Sequence, residues 1–124
     1  MLAKHLMIKE VVTATSEVSV KSCIELLSRR HVGSIVIVNG AGRCLGIFTE
    51  RDAIRIISQN VPLDAPIEKV MTKKIFTITE DATFQEVKTM ISSHGIRHLP
   101  VVDPNGKLVG LISIRQIFNE FFGM

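Results

Sequence analysis

An internal repeat constrains this chain more than any other feature of its sequence. Gly46 to Asp52 reads Gly-Ile-Phe-Thr-Glu-Arg-Asp, and Gly110 to Gln116, 64 residues further on, reads Gly-Leu-Ile-Ser-Ile-Arg-Gln. The two stretches align without a gap. A repeated unit of this size usually cannot bury its apolar face alone and packs against its copy. We therefore expect one supersecondary unit that is built twice.

The composition predicts a core made of aliphatic side chains. A chain of 124 residues has room for one compact domain, or for two small halves that share a core. Hydrophobic residues make up 46% of the chain, which is enough for a sizeable core, while Trp and Tyr are absent. Phe is therefore the only aromatic residue of these three available to the core.

The charge pattern argues against a nucleic-acid surface. The formal net charge is +3, but the Lys and Arg residues are scattered and form no run of five or more. No apolar run approaches the roughly 18 residues of a membrane span, and the first residues lack the long apolar region of a signal peptide. We expect a cytoplasmic protein with neither a membrane nor a nucleic acid as its partner.

Hydrophobic periodicity predicts the order β-α-β-β-α in the first repeat. Residues 11–14 are mostly β-branched and predict a strand. A helix follows that has Ser19 as its N-cap and runs to about residue 31. The apolar residues of this helix recur at helical spacing. Strands over 34–38 and 44–48 form a hairpin around a glycine-containing turn. A second helix follows over residues 51–59.

The second repeat restarts the same pattern. Each repeat is expected to open with a short helical turn, over residues 1–10 and again after Pro66. Thr83 to Glu86 is a capping box that begins a helix ending at Gly95. The remaining elements are a strand over 75–78, a hairpin of strands 99–102 and 108–112 with a turn at 103–106, and a closing helix that carries Ile117, Phe118, Phe121 and Phe122.

These patterns divide the chain into a first repeat over 1–60, a Pro-containing linker over 61–65, and a second repeat over 66–124. Because sixty residues alone bury little apolar surface, the two repeats are expected to face each other through their sheets. The predicted fold class is α+β, with two β-α-β-β-α repeats related by pseudo-twofold symmetry and packed into one globule.

The sequence contains no enzyme motif. It has no G-x-S-x-G, no glycine-rich phosphate loop, no nucleophile paired with a base and no close carboxylate pair. Cys23 and Cys44 fit no C-x-x-C pattern and are interpreted as structural. His5 and His31 have no partners at metal-ligand spacing. We expect a protein that is not an enzyme and binds no metal.

Two motifs carry a resemblance to a known family. They are the Gly46 to Asp52 sequence and Gly-Ile-Arg-His-Leu-Pro-Val-Val-Asp at Gly95 to Asp103. With these motifs at consistent spacing in both copies, the chain from about Leu6 to Phe121 resembles a tandem pair of CBS domains, also called a Bateman module. The resemblance implies two related clefts between the repeats that bind an adenosine-containing ligand: AMP, ADP or ATP, and less often S-adenosylmethionine or NAD.

The resemblance also has implications for partners. Family modules usually regulate an attached enzyme, channel or transporter, and stand-alone pairs that signal to another protein also occur. Two such subunits often stack into a flat homodimer. The chain is therefore expected to be a stand-alone pair that works as a homodimer and regulates a partner protein of unknown identity.

The resemblance assigns residues to the first cleft. Asp52 matches the family's ribose-binding aspartate, and Thr49 matches its phosphate-contacting hydroxyl. A carboxylate accepts hydrogen bonds from both ribose hydroxyls, and a helix N-terminus offers N–H groups and a partial positive charge to a phosphate. The adenine is expected against the first strand of the opposite repeat. The other candidates in this cleft are Arg51, Thr72, Ile75 and Ile96.

The second cleft departs from the family pattern at one position. Gln116 stands where the aspartate is expected and lacks the negative charge of a carboxylate. This cleft is therefore expected to bind phosphate better than ribose. Its candidates are Ser113, the phosphate-facing pair Arg97 and His98 ahead of a buried strand, and Val11 and Val32 against the base.

Two alternatives remain open. Thr49 to Asp52 and Ser113 to Gln116 both fit a helix N-cap pattern, which requires no ligand. His94 is likewise interpreted as a cation at a helix C-terminus. The alternative function is a ligand-independent dimerisation or interaction scaffold with vestigial clefts, and the loss of the aspartate at Gln116 favours it.

Overall fold

The structure is a computed structural model that describes the backbone of residues 1–122 and the side chains through Asn119. The chain forms two compact units. The central unit is Val12–Ile75, and the terminal unit combines Met1–Val11 with the chain from Phe76 onward. These units differ from the sequence repeats, because the opening segment of each repeat packs with the body of the other.

The central unit contains a three-stranded sheet and two helices. Strand β1 pairs parallel with β2, and β2 pairs antiparallel with β3, in the order β1-β2-β3. The elements are β1 (Thr13–Ala14), α2 (Val20–Arg30), β2 (Ser34–Val38), β3 (Cys44–Thr49), α3 (Glu50–Ser58) and a 3₁₀ turn over Ile67–Lys69.

The terminal unit repeats this arrangement with the order β4-β5-β6 and the same pairing directions. The chain order β-α-β-β-α is therefore confirmed in both repeats, together with the short opening turns. The elements are α1 (Ala3–Leu6), β4 (Ile78–Thr79), α4 (Phe84–His94), β5 (His98–Val102), β6 (Leu108–Ser113) and α5 (Ile114–Phe122). The predicted apolar positions Phe121 and Phe122 lie outside the described side chains.

The first strand of each repeat begins later than predicted. Strand β1 starts at Thr13 rather than at residue 11, and β4 starts at Ile78 rather than at residue 75. The Val11 N–H donates to the Lys9 carbonyl, and the Ile75 N–H donates to the Lys73 carbonyl. These tight turns direct the chain away from the ladder, so the β-branched run enters its strand only afterwards.

The predicted helix boundaries are confirmed by their caps. The Ser19 hydroxyl accepts from the Ser22 N–H at 3.1 Å, and the Thr83 hydroxyl accepts from the Glu86 N–H at 3.1 Å. Helix α4 ends at Gly95 in the left-handed conformation, where glycine is favoured. Helix α2 ends in the same conformation at His31.

Each unit has an aliphatic core beneath its helices. In the central unit the buried residues that pack into one core cluster are Val20, Cys23, Leu27, Ile35, Ile37, Phe48, Ala53, Ile56 and Ile67. In the terminal unit they are Ala3, Leu6, Ala82, Val87, Leu99, Val101 and Ile112. None of the helices within residues 1–122 combines the length and the apolar character that crossing a bilayer requires.

Two glycines allow the opening segments to approach the sheets closely. A Cβ atom on Gly46 would lie 2.8 Å from the Met71 sulfur and 2.8 Å from the Thr72 carbonyl oxygen. Here Ile47 and Thr72 form an antiparallel bridge. In the terminal unit, Gly110 stands in the same relation to Met7. The repeated glycine is therefore needed because main chain and methionine sulfur occupy the space of a side chain.

Candidate functional site

The N-terminus of helix α3 is a complete capping box. The Thr49 hydroxyl accepts from the Asp52 N–H at 3.2 Å. In return, Asp52 Oδ2 accepts from the Thr49 N–H at 3.0 Å and from the Thr49 hydroxyl at 3.2 Å. The predicted capping role of this motif is confirmed, and it orients the carboxylate at the head of the helix.

The other oxygen of the Asp52 carboxylate has longer contacts. Arg55 Nη2 lies 3.4 Å from Oδ1, and the Thr72 hydroxyl lies 3.4 Å from Oδ1 and 3.5 Å from Oδ2. These distances are at the upper end for a hydrogen bond. The Asp52 side chain is 13% exposed, so this carboxylate stays within reach of solvent. We call Thr49, Asp52, Arg55 and Thr72 the Asp52 cluster.

Arg55 was missed by the sequence analysis. Its Nη2 also donates to the Val70 carbonyl at 3.1 Å, which links α3 to the segment before Thr72. An acid followed three residues later by an arginine on a helix is a recognisable ion-pair spacing. That local signal was present, but the contact with Val70 depends on tertiary packing.

Ser34 was missed as well. It begins β2 directly opposite Thr49 in the antiparallel ladder and is 3% exposed. Among the residues that the structure describes, its hydroxyl oxygen has no hydrogen-bond partner. Because opposed residues of an antiparallel pair share one face of the sheet, the Ser34 side chain lies on the same face as the Thr49 side chain. Its repeat counterpart is His98, which the family pattern did single out.

The remaining candidates of the central unit are more dispersed. Arg51 is exposed in the first turn of α3, outside the hydrogen bonds of the Asp52 cluster described above. Ile75 lies in the turn before β4 and not on a strand, which corrects its expected position. Val32 is half-buried after α2, and its N–H donates to the Leu27 carbonyl.

The terminal unit keeps the cap and lacks the rest of the cluster. The Ser113 hydroxyl accepts from the Gln116 N–H at 3.1 Å, which confirms the N-cap. At the repeat positions of Arg55 and Thr72, the chain has Asn119 and Ile8. The acid, the guanidinium and the second hydroxyl have therefore all been replaced in this copy.

The basic residues of the terminal unit stand beside this cap. The Ile114 N–H donates to the Arg97 carbonyl at 3.0 Å, and Arg97 itself is exposed. His98 is the first residue of β5 and pairs with Ser113, so it lies within the strand and not ahead of it as expected. Its side chain is more buried than that of Arg97 because the ladder already includes it.

The other terminal-unit candidates lie outside the strands. Val11 is half-buried in the turn before β1, and Ile96 is half-buried with its N–H on the Ile91 carbonyl. His94 stacks on Phe76, with ring centroids 3.7 Å apart, at the C-terminal end of α4. This contact gives the His94 ring a packing role at the helix end.

A family model identifies the repeats. The model of the CBS domain matches residues 3–59 and, a second time, residues 67–123. The chain is a tandem pair of CBS domains. The family resemblance drawn from the motifs is thereby confirmed, and so is the α+β fold class.

Curated relatives match most of this chain over part of their own length. An uncharacterized 17.7 kDa protein of Acidianus ambivalens is 34% identical over 108 residues, which are 87% of this chain and 65% of that protein. An uncharacterized protein of Methanopyrus kandleri is 36% identical over 113 residues, or 88% and 57%. L-aspartate semialdehyde sulfurtransferase of Methanocaldococcus jannaschii is 30% identical, but the match covers 23% of it. The chain thus spans less than two thirds of each of these relatives.

Solved CBS pairs share its fold. The CBS domain pair of protein MJ0100, in complex with 5′-methylthioadenosine and S-adenosyl-L-methionine, has a TM-score of 0.90 and 29% identity, with 99% of this chain and 97% of that chain covered. The CBS domain protein PAE2072 from Pyrobaculum aerophilum, complexed with AMP, has a TM-score of 0.87 and 25% identity, with 94% and 89% covered.

Proposed function

We propose that this CBS pair is a non-catalytic regulatory module that binds an adenosine-containing ligand at the Asp52 cluster. The observation that carries the proposal is the difference in hydrogen bonding between the two oxygens of the Asp52 carboxylate. Its Oδ2 is held by the helix cap, while Oδ1 has contacts of 3.4 Å that stronger donors can replace. A ribose offers two such donors side by side, and bonds to an ionised acceptor are among the stronger hydrogen bonds.

The surroundings of Asp52 suit the phosphate or other polar end of such a ligand. The α3 N-terminus carries a partial positive charge that attracts anions. Thr49 lies at this terminus, and the buried Ser34 hydroxyl lies opposite it in the ladder. Exposed Arg51 adds a positive charge in the same helical turn. We expect the base to contact the apolar candidate of this unit, Ile75.

The terminal unit is proposed as a second, weaker site for the same ligand class. Ser113 caps α5 beside Arg97 and His98, which favour an anion. Gln116 supplies no charged acceptor for the ribose, so phosphate should contribute more of the binding here than ribose does. Val11 is the apolar candidate of this unit for its base.

Two similar structures support the ligand class. The MJ0100 pair binds 5′-methylthioadenosine and S-adenosyl-L-methionine, and PAE2072 binds AMP. All three ligands contain adenosine, which is the part that the Asp52 carboxylate would recognise. We propose AMP, ADP or ATP as the ligand, with S-adenosylmethionine and NAD next. A homodimer that signals to a partner protein in the cytoplasm completes the proposal.

Isothermal titration calorimetry tests the proposal with a panel of AMP, ADP, ATP, NAD, S-adenosylmethionine and 5′-methylthioadenosine. We expect at least one of them to bind, with inosine 5′-monophosphate as a control for the base. A complete lack of binding at millimolar concentrations would contradict the proposal. Because a ligand shifts a conformational equilibrium only by its differential affinity, the bound and free forms should then differ in partner affinity.

The alternative is a ligand-independent interaction scaffold. One observation favours it: the Asp52 carboxylate already has protein donors from Thr49, Arg55 and Thr72. Under this alternative the cluster is only structural, and the oligomeric state and partner affinity would be the same with and without nucleotide. The calorimetric panel distinguishes the two functions, because a scaffold with vestigial clefts should bind none of its members.

A further inference from the structure

Arg55 connects the Asp52 carboxylate to the main chain of another segment. Its Nη2 donates to the Val70 carbonyl at 3.1 Å and lies 3.4 Å from Asp52 Oδ1. The shorter contact is the one to Val70, so the guanidinium is held mainly by the segment that follows the 3₁₀ turn. The carboxylate is thereby placed against a group whose own position is set by backbone.

The two carboxylate oxygens are held in different ways. Oδ2 accepts from the N–H and the hydroxyl of Thr49, within the same helical turn. Oδ1 is contacted by Arg55 and Thr72, and Thr72 follows Val70 in the same segment. The cap restrains the carboxylate at Oδ2 only, and both of its donors belong to one residue. The contacts of Arg55 and Thr72 restrain the same carboxylate at its other oxygen, Oδ1.

We propose that Arg55 is a positioning residue: anchored on Val70, it orients Asp52 so that the carboxylate accepts hydrogen bonds from both hydroxyls of a cis-diol. The inference deepens the proposed function and depends on it. The guanidinium suits this task because it is planar, carries several N–H donors in fixed directions and remains charged. A lysine would bring the charge without this geometry.

The second repeat provides an internal comparison. Asn119 occupies the position of Arg55 and is exposed, and Gln116 occupies the position of Asp52. The capping hydroxyl is kept as Ser113. The arginine and the carboxylate are therefore absent together from the copy that retains the cap, as expected if the two residues act as a unit.

The test compares AMP with 2′-deoxyadenosine 5′-monophosphate, which lacks one hydroxyl of the diol. The variants are Arg55→Gln and Arg55→Lys, with Asn119→Gln as the matched control in the other repeat. Loss of a hydrogen bond to a charged group should make the wild type prefer AMP by about 10-fold or more. We expect Arg55→Gln to reduce this preference to about 2-fold, Arg55→Lys to be intermediate, and Asn119→Gln to keep the wild-type ratio.

Three results would overturn the inference. In the first, Arg55→Gln remains folded and binds both ligands with wild-type affinity, which makes the arginine only structural. In the second, both ligands weaken by the same factor, which makes Arg55 a direct phosphate contact. In the third, AMP binds more tightly to Arg55→Gln, which makes the guanidinium a competitor for the carboxylate.

A ligand-free measurement separates this inference from the proposed function. If the wild type binds no member of the ligand panel at millimolar concentration, the proposed function fails, and the anchoring by Arg55 is tested by amide hydrogen exchange. The N–H groups of Ile47 and Thr72 each donate to the carbonyl of the other. Arg55→Gln should accelerate their exchange several-fold relative to Asn119→Gln. Unchanged exchange would overturn the anchoring role.

Discussion

At the scale of single residues, Asp52 combines a structural and a proposed binding role in one carboxylate. Its bonds to Thr49 are local and follow from the spacing of a capping box, so the sequence predicts them. Its contact with Thr72 joins residues twenty positions apart and was suggested only by the family resemblance. Arg55 and Ser34 were missed because their neighbours are distant in sequence. Only in the folded chain does Arg55 contact the Val70 carbonyl and Ser34 stand opposite Thr49 in the ladder.

Cys23 gives a prediction about pH. It is fully buried in the central core, and burial raises the pKa of its thiol from 9.0 to about 11. Well below pH 9 the thiol is protonated in both states, so its ionisation does not affect stability. Between pH 9 and pH 11 the unfolded chain loses the proton first, so the free energy of unfolding should fall by about 2 kcal/mol.

Urea denaturation of the wild type and of Cys23→Ala across this range tests the prediction. Other groups titrate at these pH values in both proteins, so the difference between the two curves isolates the thiol. The wild type should lose stability more steeply with rising pH than the variant. Parallel curves would show that the thiol does not titrate differently on folding.

At the scale of elements, the close approach of the Met71–Thr72 segment to the sheet requires a glycine at position 46. Gly46→Ala would place a methyl group 2.8 Å from the Thr72 carbonyl oxygen and the Met71 sulfur. Methionine can move, but the carbonyl belongs to the Ile47–Thr72 bridge. We expect a loss of about 1–3 kcal/mol of stability, as in other overpacked sites.

Gly40→Ala is the matched control for this substitution. Gly40 lies in the hairpin turn, and a Cβ atom there would have no neighbour within 4 Å. Its stability should change by no more than about 0.5 kcal/mol, the usual range for surface substitutions. Thermal unfolding of both variants compares them directly. Equal stability of the Gly46→Ala and Gly40→Ala variants would mean that the segment with Met71 and Thr72 moves to accommodate the methyl group at no cost in free energy.

The element boundaries show which features local sequence signals predict and which they do not. Helices α2 and α4 were predicted well because Ser19, Thr83 and Gly95 are local start and stop signals. The strands β1 and β4 were predicted too early because Val11 and Ile75 have strand propensity but enter tight turns. Whether a β-branched residue joins a ladder depends on its partner strand, which propensity does not include.

At the scale of the whole molecule, the similarity of the repeats hides a difference in chemistry. Both copies keep the glycine, the capping hydroxyl and the pairing order of the sheet, which are the requirements of the fold. The groups around Asp52 are not kept. The fold was therefore predictable from the repeat, whereas the extent of the difference between the two sites required the contacts of Arg55 and Thr72.

The exchange of opening segments also affects how the chain can be divided. Ile67 is fully buried in the central core, although the sequence assigns it to the second repeat. Ala3 and Leu6 contribute in the same way to the terminal core. A fragment cut at the repeat boundary would therefore lose part of its core, so variants of the full chain are the appropriate test material.

The central claim is that the carboxylate of Asp52 makes one repeat the better ribose site. Calorimetric titration of the tightest panel ligand into Asp52→Ala and Gln116→Ala tests it most directly. Removing an acceptor of charge-assisted hydrogen bonds should weaken binding about 10- to 100-fold for Asp52→Ala, while Gln116→Ala should change the tighter site by less than about 3-fold. Equal losses, or a greater loss for Gln116→Ala, in folded proteins would contradict the account.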